Sequence, residues 1–85
     1  MKPFKWDETK NNWLKQERGV SFEEVTASKF LALKSGCRAG QHLILFEHED
    51  YVWAVPCLIE ENEIILKTLY PSRKYMKLHQ KGLLK

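Results

Sequence analysis

The amino-acid sequence predicts an α+β domain, with two N-terminal helices and a C-terminal helix around a three- to four-stranded antiparallel sheet. Three observations carry this prediction. Two helix-start signals lie near the N-terminus, three strand-like runs follow between residues 42 and 70, and a Pro-Ser break then opens a last helix. With 85 residues, 44% of them hydrophobic, the chain can bury one core and not two, so residues 1–85 read as a single domain.

Residues 7–18 read as a helix, with Asp7 able to cap its start and Gly19 placed for a left-handed stop. Trp6, Trp13 and Leu14 fall near one face, the pattern of a core-facing stripe. The run Val20-Ser21-Phe22-Glu23-Glu24-Val25 is a capping box with a hydrophobic staple. It predicts a second helix over residues 22–31, with Phe22, Val25 and Phe30 inward and Leu31 a further candidate. Residues 34–41 read as a loop.

Three runs, His42–Glu47, Tyr51–Ile59 and Glu63–Tyr70, are rich in β-branched, aromatic and leucine residues. The breaks at residues 48–50 and 60–62 are short enough for hairpins. Pro56 inside the second run implies an edge position or a bulge. Pro71 ends the third run, Ser72 can cap a helix from Arg73 to about Gln80, and Gly82 can end it. A short extra strand at Phe4–Trp6 would be the fourth.

Several function classes find no support. Charges interrupt every apolar run short of the roughly 20 residues needed to span a membrane. The N-terminal residues lack the apolar core of a signal peptide, so the expected location is cytoplasmic. Cys37 and Cys57 have neither CxxC spacing nor a His at metal-like spacing, and two free thiols are expected, one buried and one in a loop. His42 and His48 would share a strand face, with Glu47 and Glu49 nearby, but match no ligand pattern. No metal or cofactor is assigned. The sequence has no glycine-rich phosphate loop, no GxSxG and no HExxH.

Charge is unevenly distributed. All eleven acidic residues precede Ile64, whereas Lys67, Arg73, Lys74, Lys77, Lys81 and Lys85 follow it. Such a basic segment on a mildly acidic body suits a polyanion or an acidic protein partner. A solvated helix face with a basic tail is the plainer alternative.

Two stretches carry a family resemblance. The first is Phe4-x-Trp6-Asp7-x-x-Lys10, followed after eight intervening residues by Gly19-Val20-Ser21-Phe22-Glu23-Glu24. The second is the last strand and its exit, Ile64-Ile65-Leu66-Lys67-Thr68-Leu69-Tyr70-Pro71-Ser72-Arg73-Lys74-Tyr75. With the order of elements, they resemble the BrnT family of ribonuclease toxins, part of the wider RelE/ParE-like superfamily. The chain looks like a divergent member, with Leu14, Glu17 and Arg18 where the family usually places an Asn, a Lys and a His. The resemblance implies a small RelE-like domain, a cognate antitoxin protein that silences it, and cleavage of RNA, free or on the ribosome.

Metal-free RNA cleavage needs one group to take the 2′-OH proton, one to protonate the leaving 5′ oxygen, and positive charge around the phosphate. Lys67 and His79 are the candidates for proton transfer. Arg73 and Lys74 are candidate phosphate clamps at a helix start, and Tyr75 shares a helix face with His79. Tyr70 is a candidate for base stacking, and Lys77 and Lys81 for backbone contacts. Each residue has a structural alternative: tyrosines pack, lysines solvate, and a histidine near a helix end meets the last carbonyls. Two other functions are open, a non-catalytic ParE-like toxin and an RNA- or protein-binding module using the basic C-terminal segment.

Overall fold

The computed structural model describes residues 2–36 and 40–84. Strand β1 (Phe4–Lys5) leads into helices α1 (Glu8–Arg18) and α2 (Phe22–Thr26). Strands β2 (Lys29–Ser35), β3 (Gln41–His48), β4 (Tyr51–Ile59), β5 (Ile64–Leu66) and β6 (Tyr70–Pro71) follow, and then helix α3 (Arg73–Gln80). The strands form one sheet in the order β1-β5-β4-β3-β2, with β6 also paired to β4. β1 runs parallel to β5, and the other pairs are antiparallel. The α+β class therefore holds, but the antiparallel sheet of three or four strands becomes a mixed sheet of six.

The caps form where local chemistry places them. Asp7 Oδ1 accepts from Thr9 N–H at 3.0 Å, and Gly19 ends α1 at φ 76°. Ser21 Oγ accepts from Glu24 N–H at 3.2 Å while Glu24 Oε1 accepts from Ser21 N–H at 2.9 Å, so both arms of the capping box are made. Ser72 Oγ accepts from Tyr75 N–H at 3.2 Å and starts α3.

Two cores lie on opposite faces of the sheet, because β3 and β4 alternate apolar residues onto both. On one face Ile44, Phe46, Val55 and Cys57 pack with Leu14 of α1, Val20, and Phe22 and Val25 of α2. On the other, Leu45, Val52, Ala54 and Ala32 pack with Tyr75 and Met76 of α3. The helices thus sandwich the sheet and do not share one face.

Asn11 fixes the two N-terminal helices to each other. It is 4% exposed. Its Oδ1 accepts from Phe22 N–H at 2.7 Å, and its Nδ2 donates to Glu23 Oε1 at 2.7 Å and more weakly to Glu8 Oε1 at 3.4 Å. One side chain thereby satisfies an open N–H of α2's first turn and orients a carboxylate beside it.

Three expectations need correction. The second helix ends at Thr26, and residues 29–35 are strand β2, paired with β3 from Lys29↔Glu47 to Ser35↔His42. Leu, Ala and Lys favour helix, but a ladder to β3 satisfies the backbone and overrides that preference. Phe30 is consequently 59% exposed on an outer strand, not inward. Trp13, 43% exposed, lies outside both cores, because α1 buries only the narrow stripe of Asn11 and Leu14. Finally, the run Glu63–Tyr70 is not one strand but divides into β5 and β6, and the bulge that Pro56 implied lies at the division, opposite Pro56 of the central strand β4. Pro56 accepts from Lys67 N–H at 2.9 Å and has no N–H to return. The last run breaks there, and one extra residue enters between the pairings Cys57↔Leu66 and Ala54↔Tyr70. Cys57 is a free, buried thiol whose pKa burial pushes up, and Cys37 lies outside the described residues.

Four outcomes follow from this geometry. Replacing Asn11 by Ala strands the Phe22 N–H, and urea denaturation should show a loss of about 1–3 kcal/mol. Asn11→Asp should also destabilise at neutral pH, since it keeps the acceptor but sets a carboxylate against Glu23. The β3–β4 turn holds Glu49 at φ 51° and Asp50 at φ 64°, a conformation that favours Asn-Gly. The double change Glu49→Asn, Asp50→Gly should therefore stabilise by about 1 kcal/mol, seen as a higher thermal midpoint. Lys15, 2.8 Å from Glu24, and the Ser21 N–H hold the Glu24 carboxyl down to about 2 from 4.5. A folded-state value below the ordinary one means stability present above pH 4.5 and lost as pH falls toward 2. Glu24→Gln should flatten that part of the urea-midpoint profile, modestly, because the side chain is 40% exposed and screened.

Candidate nucleic-acid interface

Helix α3 is amphipathic, and its inner face is set by the second core. Tyr75 and Met76 pack toward Leu45, Val52 and Ala54. His79 Nε2 lies 3.5 Å from Glu47 Oε1 of β3. Tyr75 and His79 share a face, and that face is turned toward the sheet. The outer face is left to Arg73, Lys74, Lys77 and Lys81, all exposed. None of the four pairs with a carboxylate among the described residues. Arg73, Lys77 and Lys81 repeat at four-residue spacing, about 6 Å apart along the helix axis. Lys74 Nζ also lies 5.2 Å from the Tyr75 ring centroid, a cation–π contact that holds it near the helix start.

Tyr70 and Lys67 occupy the strand exit. Tyr70 is 38% exposed and pairs with Ala54 at the end of the sheet's last run. Lys67 stands at the break imposed by Pro56, exposed, and lines a recess of about 280 Å³ with Asp7, Lys10, Ile65 and Leu66. Arg18 Nη1 donates to the Leu69 carbonyl and, at 3.4 Å, to Thr68 Oγ, which ties the end of α1 to the same break.

The structure therefore brings the cations of α3 together on one surface, with Tyr70 just before it. It does not bring Lys67 and His79 to one phosphate. Lys67 registers with Pro56, whereas His79 meets Glu47, which registers with Val52. Four residues of β4 separate those rows, about 13 Å at strand spacing, and Glu47 lies on the far neighbour of β4. Sequence reasoning missed Lys10 and Arg18 as neighbours of the strand exit. A resemblance motif containing Lys10 was the one available signal.

A second concavity of about 300 Å³ opens on the α1–α2 face. It is apolar, lined by Phe4, Phe30, Leu33, Ile44, Phe46 and Ile59 among others, and it offers no cation for RNA. His42 Nδ1 is 3.3 Å from the Gly40 carbonyl, and among the described residues no three His, Cys, Asp or Glu side chains gather as a metal site. Likewise, no helix among the described residues is long and apolar enough to cross a membrane. Comparisons with protein-family models, with curated proteins and with solved structures found no match.

Proposed function

We propose that this chain is the toxin of a bacterial type II toxin–antitoxin pair, a RelE-like domain that binds RNA in the cytoplasm. The observation that carries the reading is the outer face of α3, where four cations stand without carboxylate partners among the described residues, on a helix fixed to the sheet by its other face. A rigid row of this kind suits a phosphate backbone, and equally an antitoxin that competes for it with acidic side chains. The family resemblance of the N-terminal signature and of the strand exit supports the same class.

The reaction proposed is metal-independent endoribonucleolytic cleavage. The ribose O2′ attacks the adjacent phosphorus and loses its proton, the P–O5′ bond breaks, and O5′ gains a proton. The products carry a 2′,3′-cyclic phosphate and a 5′-OH. Arg73, at the first turn of α3, and Lys74 would stabilise the phosphorane charge, with Tyr70 orienting the strand. Lys67 is the proton-transfer group nearest that exit in the chain, and Tyr75 and His79 act from the inner face by holding α3 in place. The distance between Lys67 and His79 favours a second reading, a module that binds RNA without cutting it.

Purified protein, end-labelled RNA and excess chelator decide between them. Cleavage to cyclic-phosphate ends should fall about 100-fold in Arg73→Ala and Lys74→Ala, with circular dichroism unchanged. Salt-sensitive binding with intact RNA would select the second reading. Neither binding nor cleavage would overturn both.

A further inference from the structure

Trp13 lies on α1, the helix layer on the sheet face opposite α3. It is 43% exposed and belongs to neither core. Leaving so much indole in water costs free energy that packing does not return. The ring is flanked by two cations, Lys10 Nζ at 4.7 Å and Arg18 Cζ at 5.6 Å from its centroid. Lys10 also lines the recess that holds Lys67, and Arg18 is anchored to Leu69 and Thr68 beside it. Lys10, Trp13, Arg18 and Lys67 are thus neighbours in one continuous surface, although 57 positions separate the first from the last. Of the residues that line the recess, Asp7 alone carries a carboxylate, against Lys10 and Lys67, and its Oδ1 accepts from Thr9 N–H.

An exposed aromatic with cations on its faces and a polar recess beside it matches the stacking platforms that bind single-stranded nucleic acid. At the core of a protein interface lysine is depleted, and here Lys10 lies directly on the ring. We propose that Trp13, Lys10, Arg18 and Lys67 form a second contact site for single-stranded RNA. One base stacks on the Trp13 indole, replacing the Lys10 ammonium there, and the adjoining phosphate is held by Lys10 and Lys67 in the recess. Arg18 stays on the Leu69 carbonyl and supports the ring. The site rests on the reading of the chain as RNA-directed, and it specifies an unpaired strand that runs from α1 past the sheet's broken edge.

The test uses the full chain and a fluorescein-labelled 2′-O-methyl oligoribonucleotide, which has no free 2′-OH and cannot be cleaved by this route. Trp13→Ala should weaken binding about tenfold by anisotropy, and Trp13→Phe should keep most of the affinity. Lys10→Ala and Lys67→Ala should each lower the slope of log affinity against log salt by about one. If Trp13→Ala binds like the parent while Arg73→Ala and Lys74→Ala lose affinity, the second site is wrong and the α3 reading stands. If the parent chain does not bind the oligonucleotide, both fail. Should Trp13→Ala lose its circular dichroism signal, the two lysine variants carry the test, and unchanged salt slopes would overturn the site.

Discussion

The fold depends on the burial of β3 and β4 on both faces. Ile44 and Phe46 serve one core and Leu45 the other, and Val55 and Cys57 are likewise set against Val52 and Ala54. A sheet with one wet face would leave half of these residues in water, so something must cover each side. The two N-terminal helices cover one side and α3 covers the other. That arrangement fixes the inner face of α3 through Tyr75 and Met76, and it is the reason its cations stand in a row on the outside.

What was legible in the sequence was local. Asp7, Ser21 with Glu24, Ser72 and Gly19 act within a few residues of themselves, and the structure has each cap where the pattern puts it. What was not legible depends on remote partners. Lys29–Ser35 is strand because β3 lies beside it, and nothing within the segment says so. The parallel pairing of β1 with β5 joins residues sixty apart in the chain, Phe4 with Ile64. Asn11 drew no notice because its value lies in an N–H eleven residues away.

The site divides along the same line. The basic composition of residues 64–85 and the shared face of Tyr75 and His79 can be read from spacing. That this shared face is the inner one cannot, since it depends on which side of the sheet α3 chooses. Helical periodicity set Trp13 beside Leu14, but residues one apart point about 100° away from each other, and α1 buries a stripe too narrow to include both. The exposed indole is therefore a consequence of how little of α1 the sheet covers.

Pro56 connects these surfaces. As a central-strand residue without an N–H, it cannot complete the bonded pair with Lys67, and the ladder opens between β5 and β6. In a regular ladder the Leu69 carbonyl would be a candidate acceptor for a strand neighbour. Here it accepts from Arg18, which brings the end of α1 against the opening. The Leu69 side chain still enters the first core, so the backbone is bent but not loose. Bulges re-aim the side chains around them, and this one leaves Lys67 and Tyr70 exposed on either side of a buried leucine. One imino acid in β4 thus accounts for the break in the last strand, and the break brings the α1 cations Lys10 and Arg18 beside Lys67 at the strand exit, on the helix layer opposite α3.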